Sequence, residues 1–150
     1  MVASAANEGK LFYYENDGSL NFTRFNIDPS LPTATTLYLV DMDQDDALDV
    51  ICGSASTDVI NWYENFGSGV FLKNNVTVNS GNTYQVYAED INGDGLMDVL
   101  GAARDGNRVT WYENTMQGVF LPRNAITNIA DPSDIKATDL DSDGDIDIVY

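Results

Sequence analysis

The sequence predicts an all-β fold of repeated four-stranded antiparallel blades, a β-propeller arc, and three observations predict it. Tyr13-Tyr14-Glu15-Asn16 recurs as Trp62-Tyr63-Glu64-Asn65 and as Trp111-Tyr112-Glu113-Asn114, a step of 49 residues each time. Acidic runs beginning at Asp41, Asp90 and Asp139 keep that step, each 28 residues after its aromatic motif. Between these landmarks lie short β-branched and aromatic stretches bounded by Gly, Asn, Asp or Ser, and no stretch sustains a capped helical period. A period near 50 belongs to propellers, solenoids or arrays. Four strands per period fit a propeller blade, whereas a β-solenoid would use a shorter coil.

In the first full repeat the expected strands are 36–40, 48–52, 59–63 and 70–72, all rich in residues that suit a pleated, half-buried surface. Joined up and down they form one sheet, and radial stacking of such sheets makes the propeller. Blades are expected over 28–76 and 77–125, with a third split between 126–150 and 1–27. In this register Val2, Ile51, Leu100 and Val149 are equivalent, so both ends of the sequence fall inside the second strand of a blade. Propellers hold about four to eight blades, too many for three repeats alone. The expectation is a homodimer in which two chains close one six-bladed ring, each tail completing its blade with the other's head. The alternative is a piece of a longer propeller.

Composition narrows the function. With 43% hydrophobic residues the chain can build a core, and no apolar run approaches the roughly 18 residues of a membrane span. Against 7 basic residues stand 24 acidic ones, a net charge of −17, which disfavours nucleic acid and anionic membranes as partners. The lone Cys52 forms no internal disulfide, and the absence of His disfavours zinc sites and imidazole catalysis. Residues 1–10 show neither a charged n-region nor a long apolar segment, so no secretory leader is expected there.

The acidic runs carry the chemistry. Residues 41–49 place oxygen-bearing side chains at positions 1, 3, 5 and 9, namely Asp41, Asp43, Asp45 and Asp49. The second run repeats this with Asp90, Asn92, Asp94 and Asp98, and the third with Asp139, Asp141, Asp143 and Asp147. Alternating carboxylates on a tight loop converge on one centre, and the position-7 carbonyls of Ala47, Leu96 and Asp145 can add a further oxygen. A hard cation rewards such crowding, and Ca²⁺ fits a flexible all-oxygen loop better than Mg²⁺. One ion per repeat, up to three per chain, is expected. An EF-hand is excluded, because position 12 is Cys52, Gly101 or Tyr150 rather than Glu, and strands flank the loops. Position 6, where a left-handed residue is expected, is Gly95 and Gly144 in two runs but Asp46 in the first.

The pairing of a D-x-[DN]-x-D-[GD]-x-x-D loop with a following W-Y-E-N strand resembles FG-GAP/VCBS repeats, the calcium-loop blades of integrin α-chain heads, fungal lectins and many secreted bacterial proteins. The resemblance covers essentially the whole chain. It implies that the loop joins the first and second strands of each blade and holds Ca²⁺ through the side chains named above. It also implies an extracellular or cell-surface setting, which weak calcium sites would suit. Single-chain relatives usually carry more than three repeats.

On a strand, Trp62 and Glu64 face one side of the sheet and Asn61 and Tyr63 the other. One aromatic of the motif is expected to fill the gap between blades, while sugar stacking with Glu15, Glu64 or Glu113 on the hydroxyls is the functional alternative. Arg104-Asp105-Gly106-Asn107-Arg108 reads as a solvated turn. The chain is therefore expected to be a non-catalytic calcium-binding module for adhesion, with carbohydrate or protein as ligand, or else a calcium-stabilised scaffold. Against an enzyme stands the lack of any nucleophile-plus-base arrangement, every clustered carboxylate lying in a metal loop.

Overall fold

The computed structural model describes residues 2–5 and 9–150, with the backbone alone for 2–5, 124 and 125. Every regular element in it is a strand. The first complete sheet holds β4 (Ala34–Val40), β5 (Asp49–Ser54), β6 (Val59–Asn65) and β7 (Phe71–Thr77) in sequential antiparallel order. The second repeats it with β8 (Thr83–Glu89), β9 (Asp98–Ala103), β10 (Arg108–Met116) and β11 (Val119–Thr127). Before them lies a three-stranded sheet of β1 (Val2–Ala5), β2 (Lys10–Asn16) and β3 (Phe22–Asp28). After them comes a two-stranded sheet of β12 (Lys136–Thr138) and β13 (Asp147–Val149). Even the irregularities repeat: a register shift falls between Leu11 and Phe12, between Ile60 and Asn61, and between Val109 and Thr110. A bulge kept at one repeat position is a built feature of the blade.

The outermost strand is longer than the sequence indicates. β7 runs on through Lys73, Asn74 and Asn75, whose side chains alternate between partial burial and solvent. Asn and Lys have weak strand preference. Here they hold strand geometry because β6 supplies the ladder on one side while the other edge faces water.

The core lies between sheets rather than within one. Tyr63 packs with Leu11, Leu31, Val50 and Cys52 at the seam between the three-stranded and first complete sheets. Trp62, on the opposite face, joins Met42, Ile60, Val86, Val99 and Tyr112 at the next seam. Leu100, Ala102 and Val109 cover Ile135 and Ala137 at the third. Both aromatics of the motif are therefore packing residues, where one was expected, because each complete sheet has a neighbour on either face. The seam is tight: a Cβ on Gly101 would lie 2.9 Å from Ile60 Cδ1.

One polar bridge crosses the first seam. Buried Asp28, at the end of β3, accepts hydrogen bonds from Tyr63 Oη (2.9 Å), Lys73 Nζ (2.9 Å) and Ser30 N (2.8 Å). Burial works to raise its pKa, but the bonds from Lys73, Ser30 and Tyr63 outweigh it and hold the carboxyl below its ordinary value. A depressed pKa contributes stability above the unfolded value near 4, and that stability is lost as pH falls through the folded value. Asp28→Asn is expected to lower stability by about 1–3 kcal/mol at neutral pH. Urea melts of both proteins at pH 7 and pH 3 check this: the gap should narrow in acid, and coincident curves at neutral pH would contradict the bridge.

Candidate metal centre

Each acidic run connects the first and second strands of its sheet: 41–48 between β4 and β5, 90–97 between β8 and β9, and 139–146 between β12 and β13. The chain turns sharply by placing positions 4 and 6 at positive φ: Gln44 and Asp46 (63° and 70°), Gly93 and Gly95 (71° and 88°), and Ser142 and Gly144 (64° and 99°). Position 6 was expected to be left-handed; position 4 was not, since Gln and Ser give no conformational signal there.

The position-1 carboxylate holds the turn. Asp41 accepts from the N–H groups of Asp45 (3.1 Å) and Asp46 (3.0 Å), Asp90 from those of Asp94 (3.1 Å) and Gly95 (2.8 Å), and Asp139 from those of Asp143 and Gly144 (both 3.1 Å). The position-5 carboxylates accept from the position-7 N–H groups of Ala47 (2.8 Å), Leu96 (2.8 Å) and Asp145 (3.0 Å). The position-7 residues are thus fixed on the same turn as the carboxylates.

The turn gathers negative oxygens. Asp41, Asp43 and Asp45 each offer an oxygen within 4.8 Å of the others, and Asp139, Asp141 and Asp147 do the same in the third loop. In the second loop Asn92 Oδ1 accepts from Asp94 N (3.1 Å), and its amide nitrogen donates to Asp94 Oδ2 (3.0 Å). Asp43 Oδ1 is buried and has no hydrogen-bond partner. Burial, and then the charges of Asp49 and Asp45, push the Asp43 carboxyl above its ordinary value. An all-oxygen set carrying an unpartnered buried carboxylate oxygen fits a hard divalent cation.

The position-9 residues of the complete sheets also brace the loop against the sheet. Asp49 is fully buried; its Oδ1 accepts from Asn65 N (2.8 Å), and its Oδ2 accepts from Trp62 Nε1 (2.8 Å) and Met42 N (3.1 Å). Asp98 accepts from Asn114 N (2.7 Å) and Ile91 N (3.2 Å). Burial raises the pKa of both carboxyls, partly offset by these donors. Asn65 and Asn114 also donate through Nδ2 to the carbonyls of Leu48 (3.0 Å) and Met97 (3.1 Å). These asparagines tie the third strand to the loop. Their signal was the recurring Asn that ends the aromatic motif. Asp147 is exposed and accepts from Leu140 N (3.0 Å).

Most of the other candidate features are engaged elsewhere, and Glu15 is exposed. Buried Trp62 offers no face for sugar stacking, Glu64 accepts from Asn74 Nδ2 (3.2 Å), and Glu113 pairs with Arg123 (2.6 Å). Residues 104–107 form a turn between β9 and β10, with Arg108 opening β10, and Arg104 pairs with Asp131 and lies 4.8 Å from the centre of the Tyr84 ring.

A family model described as an FG-GAP-like repeat matches the chain twice, over residues 41–101 and 90–150. No curated protein and no solved structure matches it.

The left-handed Asp46 yields a comparison of substitutions. A left-handed backbone is strained for any residue with a Cβ, so Asp46→Gly is expected to exceed Asp46→Ala in stability by about 1 kcal/mol. Thermal melts of the pair check this, and equal midpoints would show that the turn is not held left-handed in solution.

Proposed function

The chain belongs to the FG-GAP-like repeat family, and on that premise we propose that it is a calcium-binding β-propeller module for extracellular ligand binding or adhesion. The observation that carries the reading is the acidic loop built three times on one hydrogen-bonded frame, with Asp43 Oδ1 buried and unpartnered in the first. Calcium would be held by Asp41, Asp43, Asp45 and Asp49, by Asp90, Asn92, Asp94 and Asp98, and by Asp139, Asp141, Asp143 and Asp147. The carbonyls of Ala47, Leu96 and Asp145 would complete the oxygen shell.

The ion's part is electrostatic. It offsets carboxylates that the turn brings together and so favours the folded loop. The module is non-catalytic: the sequence has no His, and its clustered carboxylates are committed to the loops. Millimolar extracellular calcium suits such sites. In this reading two chains close one ring of six blades, and the ligand is a carbohydrate or a protein. A scaffold without a ligand is the second reading, favoured by the use of Trp62, Tyr63 and Tyr112 in packing.

Calcium at about a hundredfold over its dissociation constant should stabilise the fold by about 2.7 kcal/mol per site, so excess EGTA should lower the melting temperature. Calorimetric titration should give up to three ions per chain, and Asp94→Ala should remove one. An unchanged melt in EGTA would refute the structural role of the metal. To separate module from scaffold, the calcium-loaded protein would be applied to a glycan array. Reproducible hits support the carbohydrate-binding version, and a blank array withdraws it.

A further inference from the structure

The two partial sheets correspond to complementary parts of the repeat. With the 49-residue repeat, β12 and β13 correspond to β4 and the start of β5, while β1, β2 and β3 correspond to the remainder of β5, β6 and β7. Val2 and Val149 both stand at the register position of Ile51, so a joined second strand would change chain at that rung.

Two local features bear on how the partial sheets could fit together. At the seam between the complete sheets Met42, from the first acidic loop, is 2% exposed, packed with Trp62, Ala88 and Val99 and flanked by Met97 and Phe120. The preceding seam has a cavity of about 320 Å³ at this place, lined by Tyr13, Leu39, Leu48, Val50 and Phe71. These are the repeat equivalents of Trp62, Ala88, Met97, Val99 and Phe120. The equivalent of Met42 is Leu140, which is 69% exposed. The cavity is thus lined by the equivalents of Met42's neighbours, while the third loop carries the equivalent of Met42 in the open.

The second feature is polar. In the complete sheets the position-9 carboxylate receives an N–H from Asn65 or Asn114. The corresponding Asp147 is exposed, and so is Asn16, the corresponding asparagine. Asn16 already has the local shape of its counterpart: its Oδ1 accepts from Gly18 N (3.1 Å) as Asn65 Oδ1 does from Gly67 N (3.0 Å).

We propose that β12, β13 and the third acidic loop of one copy dock onto the β1–β3 sheet of a second copy. Leu140 fills the cavity beside Tyr13, and Asn16 N–H donates to Asp147. This rests on the ring-closing reading above and specifies its junction. The third metal loop is then assembled across copies, because the third strand that braces it belongs to the partner. The cavity is a seat for a protein side chain rather than for a small ligand.

Val50 and Tyr63 are cross-strand partners in the intact blade, so Ile148 and Tyr14 should be partners across the junction. The test mixes two single variants of the full chain, Tyr14→Cys and Ile148→Cys, under mild oxidation, with buried Cys52 left in place. Cross-strand partners lie within disulfide reach, so a covalent dimer should form in the mixture and in neither variant alone. Light scattering of the parent should give about twice the 16.4 kDa chain mass. Leu140→Asp should weaken the dimer about tenfold or more, a desolvated anchor being replaced by a charge. A dimer mass with no mixed disulfide, or with Leu140→Asp unaffected, overturns the junction but leaves ring closure standing. A monomer overturns both.

Discussion

The arrangement depends on one buried carboxylate at the start of the second strand of each complete sheet. Asp49 accepts hydrogen bonds from its own loop through Met42, from the third strand through Asn65, and from an interblade aromatic through Trp62. Asp98 accepts from its loop and its third strand in the same way. A buried charge is stable when donors converge on it, and the same low dielectric makes an unmet bond expensive. The loop therefore cannot shift without disturbing the sheet, and the sheet cannot lose its third strand without leaving a carboxylate unmet. Coupling of this kind makes each blade one cooperative unit.

Such coupling also distinguishes the complete sheets from the partial ones. Where the third strand is present, Asp49 and Asp98 are fully buried and serve as anchors. Where it is absent from the sheet, Asp147 stands exposed, with an oxygen close to those of Asp139 and Asp141. One residue type at one repeat position thus has two environments, and the difference lies in what packs beside it rather than in the loop's own sequence.

Much of the fold was legible because the signals were redundant. The repeat of 49, the W-Y-E-N strand and the acidic run each located the same strands and the same strand-to-strand loop. The polar extension of β7 was not legible, because Lys73, Asn74 and Asn75 adopt strand geometry through pairing and not through preference. The double use of the aromatics was hidden too. Alternation places Trp62 and Tyr63 on opposite faces, but that both faces are covered is a property of the stack. The convergence of the loop carboxylates was readable from spacing, whereas the bracing role of Asn65 and Asn114 needed the third dimension. The left-handed position 4 escaped for a simpler reason: Gln44 and Ser142 are ordinary residues that carry no conformational signal, yet both stand at positive φ.

Cys52 gives the seam beside the three-stranded sheet its own reporter. The thiol is fully buried, and burial pushes its pKa up to about 12, so thiolate is scarce while the seam is closed. A thiol reagent can reach it when the first sheet lifts away from β5 and β6, a local opening short of global unfolding. Labelling kinetics of the unmodified chain therefore measure how often one blade parts from the next. The chain's single sulfhydryl is in effect a clock for the parting of that seam.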